Sequence, residues 1–263
     1  MNMQDRIKRI NELYHKSQNE GLTEEEKQEQ TRLRKEYVES VRGSLKAQLD
    51  NIDIKEADGS ITNLGEKFNK AGNISAKADL RKEILSKRSS MKASEVIDKS
   101  KIICSKITEL DVYKNAKTVL LYYPYNNEAE TFMLFDELLS DDKIVAFPKS
   151  TVVDGVSGLD FYVITDKSQF ENGYKGIMEP DVNNHELEKF FGTADLCIAP
   201  GVVFDKKCHR IGYGKGFYDR YLQKNPPLHT IGIAFELQVV EEITPEAGDI
   251  SMDMVVTEKN IYE

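Results

Sequence analysis

Apolar residues recur along this chain with two different periods. Over residues 4–18, Ile7, Ile10, Leu13 and Tyr14 fall at helical spacing. "NEGLTEEE" then stops that helix at Gly21 and starts another, with Thr23 as the N-cap and Glu24, Glu25 and Glu26 suited to the positive end of the helix dipole. The second helix places Leu33, Tyr37, Val38 and Val41 on one face. This predicts an antiparallel helical hairpin over 1–56. So small a core should self-associate or lean on another surface. The polar stretch "KEADGSITNLGEKFNKAGN" reads as a linker at 57–73.

Over 74–263 the texture changes. "ISAKADLRKEILSKRSSM" and residues 93–110 are helical by period. Continuous apolar runs of strand length follow, "KTVLLYYPY", "KIVAFPK", "LDFYVI", "DLCIAPGVVF", "TIGIAF" and "DMVVTE", with a helix at "ETFMLFDELLS". Apolar runs alternating with helices predict an α/β fold, a mostly parallel, Rossmann-like open sheet with helices on both faces. Ligands of such sheets sit at the carboxyl ends of the strands. That puts residues 123–130, Pro148 with Lys149, and the loop after Val203 near one edge.

Charge and cysteine content narrow the class. A net charge of -9 with 31% charged residues argues against nucleic-acid binding, which needs a basic field. No apolar stretch approaches the roughly 20 residues of a membrane span, and the N-terminus lacks the apolar segment of a signal peptide. Three cysteines in no zinc-like pattern read as reduced thiols, so the expected location is cytoplasmic. Cys208 and His209 could be a nucleophile and its base, but sequence neighbours rarely face each other that way, and a structural role is favoured.

"DLCIAPGVVFDKKCHRIGYGKGFYDRYL" reads as strand, loop, glycine segment and helix. Backbone N–H groups freed by Gly212, Gly214 and Gly216 ahead of a helix can cradle an anion, with Arg210 and Lys215 adding charge. The spacing is neither the dinucleotide fingerprint nor the Walker loop. A plain tight turn stays equally open on local grounds. Asp219, one turn into the helix, could hold Mg²⁺ or form a salt bridge.

The stretch "PGVVFDKKCHRIGYGKGFYDR" resembles the hallmark segment of the 5-formyltetrahydrofolate cyclo-ligase (methenyltetrahydrofolate synthetase) family. Cys208 stands where that family usually carries glycine, and Phe217 where it usually carries tyrosine. The resemblance runs from about Lys77 to the C-terminus, through "KADLRKEILSKR", "YYPYNNEAET", "GIMEP" and "IGIAFELQVV" with "PEAGDISMDMVVTE". It implies an enzyme that uses ATP and Mg²⁺ to cyclise 5-formyltetrahydrofolate to 5,10-methenyltetrahydrofolate, releasing ADP and phosphate.

By the same resemblance, Lys77, Arg81, Arg210, Gly212, Gly214, Lys215, Gly216 and Asp219 bind ATP, and Lys215 and Arg210 act on the moving phosphoryl group. Asp219 and Asp249 match the magnesium carboxylates, with Asp253 a lesser candidate. Tyr123, Glu128, Tyr213 and Phe217 face the folate, and the choice between Glu128 and Glu130 stays open. His185, His209 and His229 have structural or surface roles. Residues 3–54 resemble the short bacterial helical-hairpin family of YnzC-like (DUF896/UPF0291-type) proteins, whose role is unclear. A competing reading is a catalytically inactive nucleotide- or folate-binding regulator that acts through the hairpin.

Overall fold

The computed structural model describes residues 3–19, 21–49, 52–55, 61–153 and 156–263. It separates into two units, Met1–Ala76 and Lys77–Glu263. In the first, helices α1 (Met3–Asn19) and α2 (Glu24–Leu49) form the expected hairpin. Gly21 takes a φ of 80° at the reversal, a left-handed conformation that glycine adopts without a Cβ penalty. Thr23 caps α2 reciprocally with Glu26. Its Oγ1 accepts from the Glu26 N–H at 3.3 Å, and its own N–H donates to Glu26 Oε2 at 3.0 Å. Leu13 and Leu33 are buried. Arg9 pairs with both oxygens of Glu29, at 3.1 and 2.7 Å, and Lys16 with Glu26 at 2.6 Å. Solvated pairs of this kind contribute little energy, but their spacing along the helices specifies the register.

The polar stretch after the hairpin differs from its expected linker character. Strand β1 (Asp53–Lys55) pairs antiparallel with β2 (Ile61–Asn63), and helix α3 (Leu64–Ser89) starts directly after it. Residues 56–60 lie outside the described residues. Gly65 and Gly72 each cost a helix only about 1 kcal/mol relative to alanine, so the helix-forming residues between them outweigh both.

The second unit continues through α4 (Ala93–Glu109), α5 (Asp111–Asn115), β3 (Thr118–Leu120), α6 (Phe132–Ser140), β4 (Ile144–Val153) and β5 (Val156–Val163). Two short strands, β6 (Phe170–Asn172) and β7 (Met178–Pro180), pair as a hairpin. Then come β8 (Leu196–Ala199), the β9 (Val203–Asp205) and β10 (Arg210–Ile211) hairpin, α7 (Phe217–Lys224), β11 (His229–Ile233), β12 (Val239–Val240), β13 (Met254–Val256) and β14 (Ile261–Tyr262). The main sheet has the order β14-β13-β11-β8-β3-β4-β5. Its five central strands are parallel, and β5 and β14 close the edges antiparallel.

Both faces are covered, which is why the central strands read as unbroken apolar runs. Val119, Val145, Phe147, Leu196, Ile198, Ile231 and Ile233 pack under α4 and α6. Leu120, Ala146, Cys197 and Ala199 alternate to the opposite face, against Leu222 of α7 and Phe204 of β9. From β3 the chain goes to β4 on one side and returns as β8 on the other. The crevice past the carboxyl ends of β3 and β8 is therefore the topological switch point, where doubly wound sheets bind ligands.

Candidate active site

Helix α3 brings the first cations to that crevice. Lys77, Arg81, Ile84 and Arg88 follow steps of four, three and four residues, so they share one helix stripe. Lys77 Nζ donates to Asp249 Oδ2 at 2.6 Å and pairs with Glu246 Oε1 at 2.9 Å. Burial lowers the Lys77 ammonium pKa, but these two carboxylates more than offset it and hold the value above the usual range. Burial raises the Asp249 carboxyl pKa, yet Lys77 and the Glu246 N–H keep it below its usual range.

Arg81 Nε donates to the Gly212 carbonyl at 2.8 Å. A Cβ on Gly214 would stand 3.5 Å from the Arg81 guanidinium carbon. Gly214 and Gly216 hold φ values of 88° and 60°, a region strained for side-chain-bearing residues. At Gly212 a Cβ would lie 3.0 Å from Arg210 Nη1. The three glycines thus let this loop lie flat on two arginines and enter α7 at Gly216.

Arg210 is buried. Its Nη2 donates to Asp219 Oδ1 at 2.8 Å and its Nη1 to the Pro200 carbonyl at 3.3 Å, while its Nε is buried without a hydrogen-bond partner. The guanidinium carbon lies 5.7 Å from the Tyr218 ring centroid. The Ile250 N–H donates to the same Asp219 oxygen at 3.3 Å, which brings Asp219 up to the Asp249 segment. Among the described residues, Asp219 Oδ2 and Asp249 Oδ1 accept no hydrogen bond. Each carboxylate thus keeps one uncommitted oxygen of the hard type that Mg²⁺ takes, while no cluster of three or more His, Cys, Asp or Glu placed to hold a metal ion occurs among the described residues. Lys215 is exposed, and its Nζ has no hydrogen bond or ion pair among the described residues. Its carbonyl accepts from Arg220 Nη2 at 2.6 Å.

The facing wall comes from the loop after β3. Glu128 is buried. Its Oε2 accepts from the Tyr125 N–H at 3.0 Å and its Oε1 from the Tyr213 hydroxyl at 3.2 Å. Burial pushes its carboxyl up to about 7, against the pull of Arg88, Tyr125 and Tyr213. The Tyr213 hydroxyl also accepts from Arg88. Glu130 is half-buried and shares a cavity of about 170 Å³ with Glu128, Val96, Ile97 and Pro124.

The structure brings together Lys77, Arg81, Arg210, the 212–217 loop, Asp219 and Asp249, and joins Glu128 to Tyr213. Phe217 meets Tyr174 edge-on at 6.0 Å. Tyr123 points elsewhere, edge-on to Phe132 and Phe170 at 4.9 and 5.0 Å. Tyr125, two residues later, faces Tyr213 with ring centroids 6.4 Å apart. Asp253 Oδ2 accepts from the Thr230 N–H and hydroxyl at 2.7 and 2.9 Å, which ties it to the start of β11. Arg88, Glu246 and Tyr125 carried no expectation from sequence. The signal for Arg88 was its step of seven from Arg81 on the face of buried Ile84.

Cys208 and His209 do not face each other as a reacting pair. His209 Nδ1 lies 2.9 Å from Asp205 Oδ2. All three thiols are buried, and burial pushes Cys104 and Cys197 up to about 12. Cys208 sits in the β9–β10 turn with a φ of 63°. Cys208→Gly should therefore range from neutral to a gain of about 1 kcal/mol, because it removes left-handed strain at the cost of one small buried side chain. Urea unfolding tests this, and a loss above about 1 kcal/mol would show that the sulfur's packing outweighs the strain.

A doubly wound α/β enzyme with its site at the strand-order reversal is the class that this placement defines. The chain belongs to the 5-formyltetrahydrofolate cyclo-ligase family, whose profile matches residues 73–258. A second profile, "Bacterial protein of unknown function (DUF896)", matches residues 5–64. A probable 5-formyltetrahydrofolate cyclo-ligase of Schizosaccharomyces pombe is 29% identical over 72% of this chain and 98% of its own. A UPF0291 protein of Lachnospira eligens is 54% identical over 21% of this chain and 66% of its own. The solved 5,10-methenyltetrahydrofolate synthetase of Aquifex aeolicus is 35% identical with a TM-score of 0.61, covering 71% of this chain and 92% of that one. Both families and the fold class expected from the sequence are found. No helix among the described residues is long and apolar enough to cross a membrane.

Proposed function

We propose that this chain converts 5-formyltetrahydrofolate to 5,10-methenyltetrahydrofolate at the expense of ATP, as a cytoplasmic enzyme. One observation carries the reading. Arg81 and Arg210 lie against the glycine loop, whose Lys215 has no partner among the described residues, Lys77 reaches Asp249 beside them, and the same loop's Tyr213 touches Glu128. The formyl oxygen on N5 attacks the γ-phosphorus, and ADP leaves. N10 then attacks the phosphorylated formyl carbon and loses its proton, and phosphate departs to leave the methenyl bridge. The protein positions N10, excludes water and supplies positive charge around the phosphoryl group. Asp219 and Asp249 would hold Mg²⁺ through their uncommitted oxygens, and the ion would neutralise phosphate charge. Glu128, rather than Glu130, accepts hydrogen bonds from the pterin N–H groups, beside Tyr125 and Tyr213. Exposed Ile7, Tyr14 and Val38 support self-association through the hairpin.

The deciding experiment follows methenyl absorbance with 5-formyltetrahydrofolate, ATP and Mg²⁺. Product that requires all three supports the enzyme, whereas tight binding of both substrates with no product would favour the inactive regulator. Removal of residues 1–63, which leaves α3 whole, should preserve turnover within about twofold, because the cyclo-ligase profile matches 73–258, all of it in the part that remains. Loss of activity in a soluble truncated chain would make the hairpin part of the enzyme.

A further inference from the structure

Arg88 is fully buried, and the reading above gives it no role. Its guanidinium reaches three separate segments. Nε donates to the Asn126 carbonyl at 3.0 Å, in the loop after β3. Nη1 donates to the Gly201 carbonyl at 3.3 Å, just past β8, and lies 3.7 Å from Glu128 Oε1. Nη2 donates to the Tyr213 hydroxyl on the glycine loop. A buried guanidinium stays charged and is tolerated only when its donors are met, and its planar fork spans partners that a lysine ammonium cannot.

The loop that it holds is strained. Asn126 and Asn127 take φ values of 48° and 56°, a left-handed conformation that costs free energy outside glycine. Asn127 Nδ2 donates back to the carbonyls of Arg88 and Met91 at 3.2 and 3.3 Å. Glu128 follows immediately, so its placement depends on this clamp. Arg81 grips the glycine loop one residue earlier, at the Gly212 carbonyl. Arg88 reaches the side of that loop that meets Glu128, and it is the one cation among the described residues that hydrogen-bonds the Tyr213 hydroxyl.

We propose that Arg88 is a positioning residue for the folate side of the site, setting Glu128 and Tyr213 at their mutual distance across the β3–β8 crevice. The inference rests on the cyclo-ligase reading and deepens it. The substrate part that it serves is a heterocycle with N–H donors, which needs a carboxylate and an aromatic ring at fixed separation.

The test uses the full chain with Arg88→Lys, Tyr213→Phe and the double variant, varying each substrate in turn. Arg88→Lys is expected to raise the KM for 5-formyltetrahydrofolate at least tenfold and to leave the KM for MgATP within threefold. The double variant should be no more than about twofold worse than the worse single, since both changes interrupt one chain of contacts. An unchanged folate KM in Arg88→Lys, equal rises for both substrates, or multiplying effects would each overturn the proposal. If Arg88→Lys does not fold, Tyr213→Phe decides alone, because it removes only the hydroxyl that Arg88 grips. A folate KM that does not rise in that variant is the overturning result. A parent protein that forms no methenyl product defeats the functional reading instead. Calorimetric titration of 5-formyltetrahydrofolate into the same proteins then reads the Arg88 effect, and equal affinities in parent and variants overturn it.

Discussion

Lys215→Ala is expected to lower kcat at least tenfold, about 1.4 kcal/mol in the barrier, while the ligand-free protein melts at an unchanged temperature. The two halves of that result have separate causes. Lys215 is exposed and its ammonium has no partner among the described residues, so its loss removes no folded-state contact. Surface changes of that kind stay within about 0.5 kcal/mol. Its position between Gly214 and Gly216, on a loop packed against Arg81 and Arg210, supports a charge aimed at a transferring phosphate. There one positioned group can contribute several kcal/mol. The melting shift caused by MgATP should shrink in the variant, because a more weakly bound ligand stabilises less. Wild-type kinetics with an undiminished shift would reduce the glycine loop to a tight turn.

Arg210→Met is expected to cost more, and in two currents at once: about 3 kcal/mol of stability and at least about a hundredfold in kcat. The Arg210 side chain is 3% exposed, and its 2.8 Å partner Asp219 is 21% exposed. Methionine keeps most of the stem's packing against Tyr218 but leaves the Asp219 carboxylate beside an apolar group. Removing one member of a buried pair exposes the desolvation penalty of the other, which is the physical source of the stability loss. The kinetic loss follows from removing a fixed positive charge from the proposed phosphate site. Urea unfolding gives the first quantity, and turnover measured well below the variant's transition gives the second. A stability within about 1 kcal/mol of the parent would mean that water already screens the pair. Turnover within threefold would place Arg210 outside the chemistry.

Local patterns in the chain sufficed for everything that depends on near neighbours. The period of Ile7, Ile10, Leu13 and Tyr14, the Thr23–Glu26 cap and the apolar runs of β3, β4, β8 and β11 specify their elements, because helical periods and two-face burial act within about ten residues. The order of the cyclo-ligase segments was legible too, as was the tight glycine-built course of 212–217. Composition says less where breakers and helix formers mix: 57–73 reads as a linker, whereas over 61–73 the structure has β2 and the first turns of α3, with Gly65 and Gly72 inside the helix. Tyr123 and Tyr125 lie two residues apart, and tertiary packing separates them: the first meets Phe132 and Phe170, the second Tyr213.

Tertiary structure alone decided how distant charges pair. Lys77 meets Asp249 from 172 residues away, and Arg88 meets Tyr213 from 125 residues away. Their partners sit on different elements, so no spacing in the sequence encodes them. The strand-order reversal at β3 and β8 made that pairing possible, by bringing the Glu128 loop, the Gly201 carbonyl and the glycine loop to one crevice where a buried arginine could find an acceptor on each. The sequence by itself determined which residues could carry charge and where the chain could turn. Whether a charge would be buried, paired or exposed, as at Arg88, Arg210 and Lys215, depended on the groups that folding packed around it.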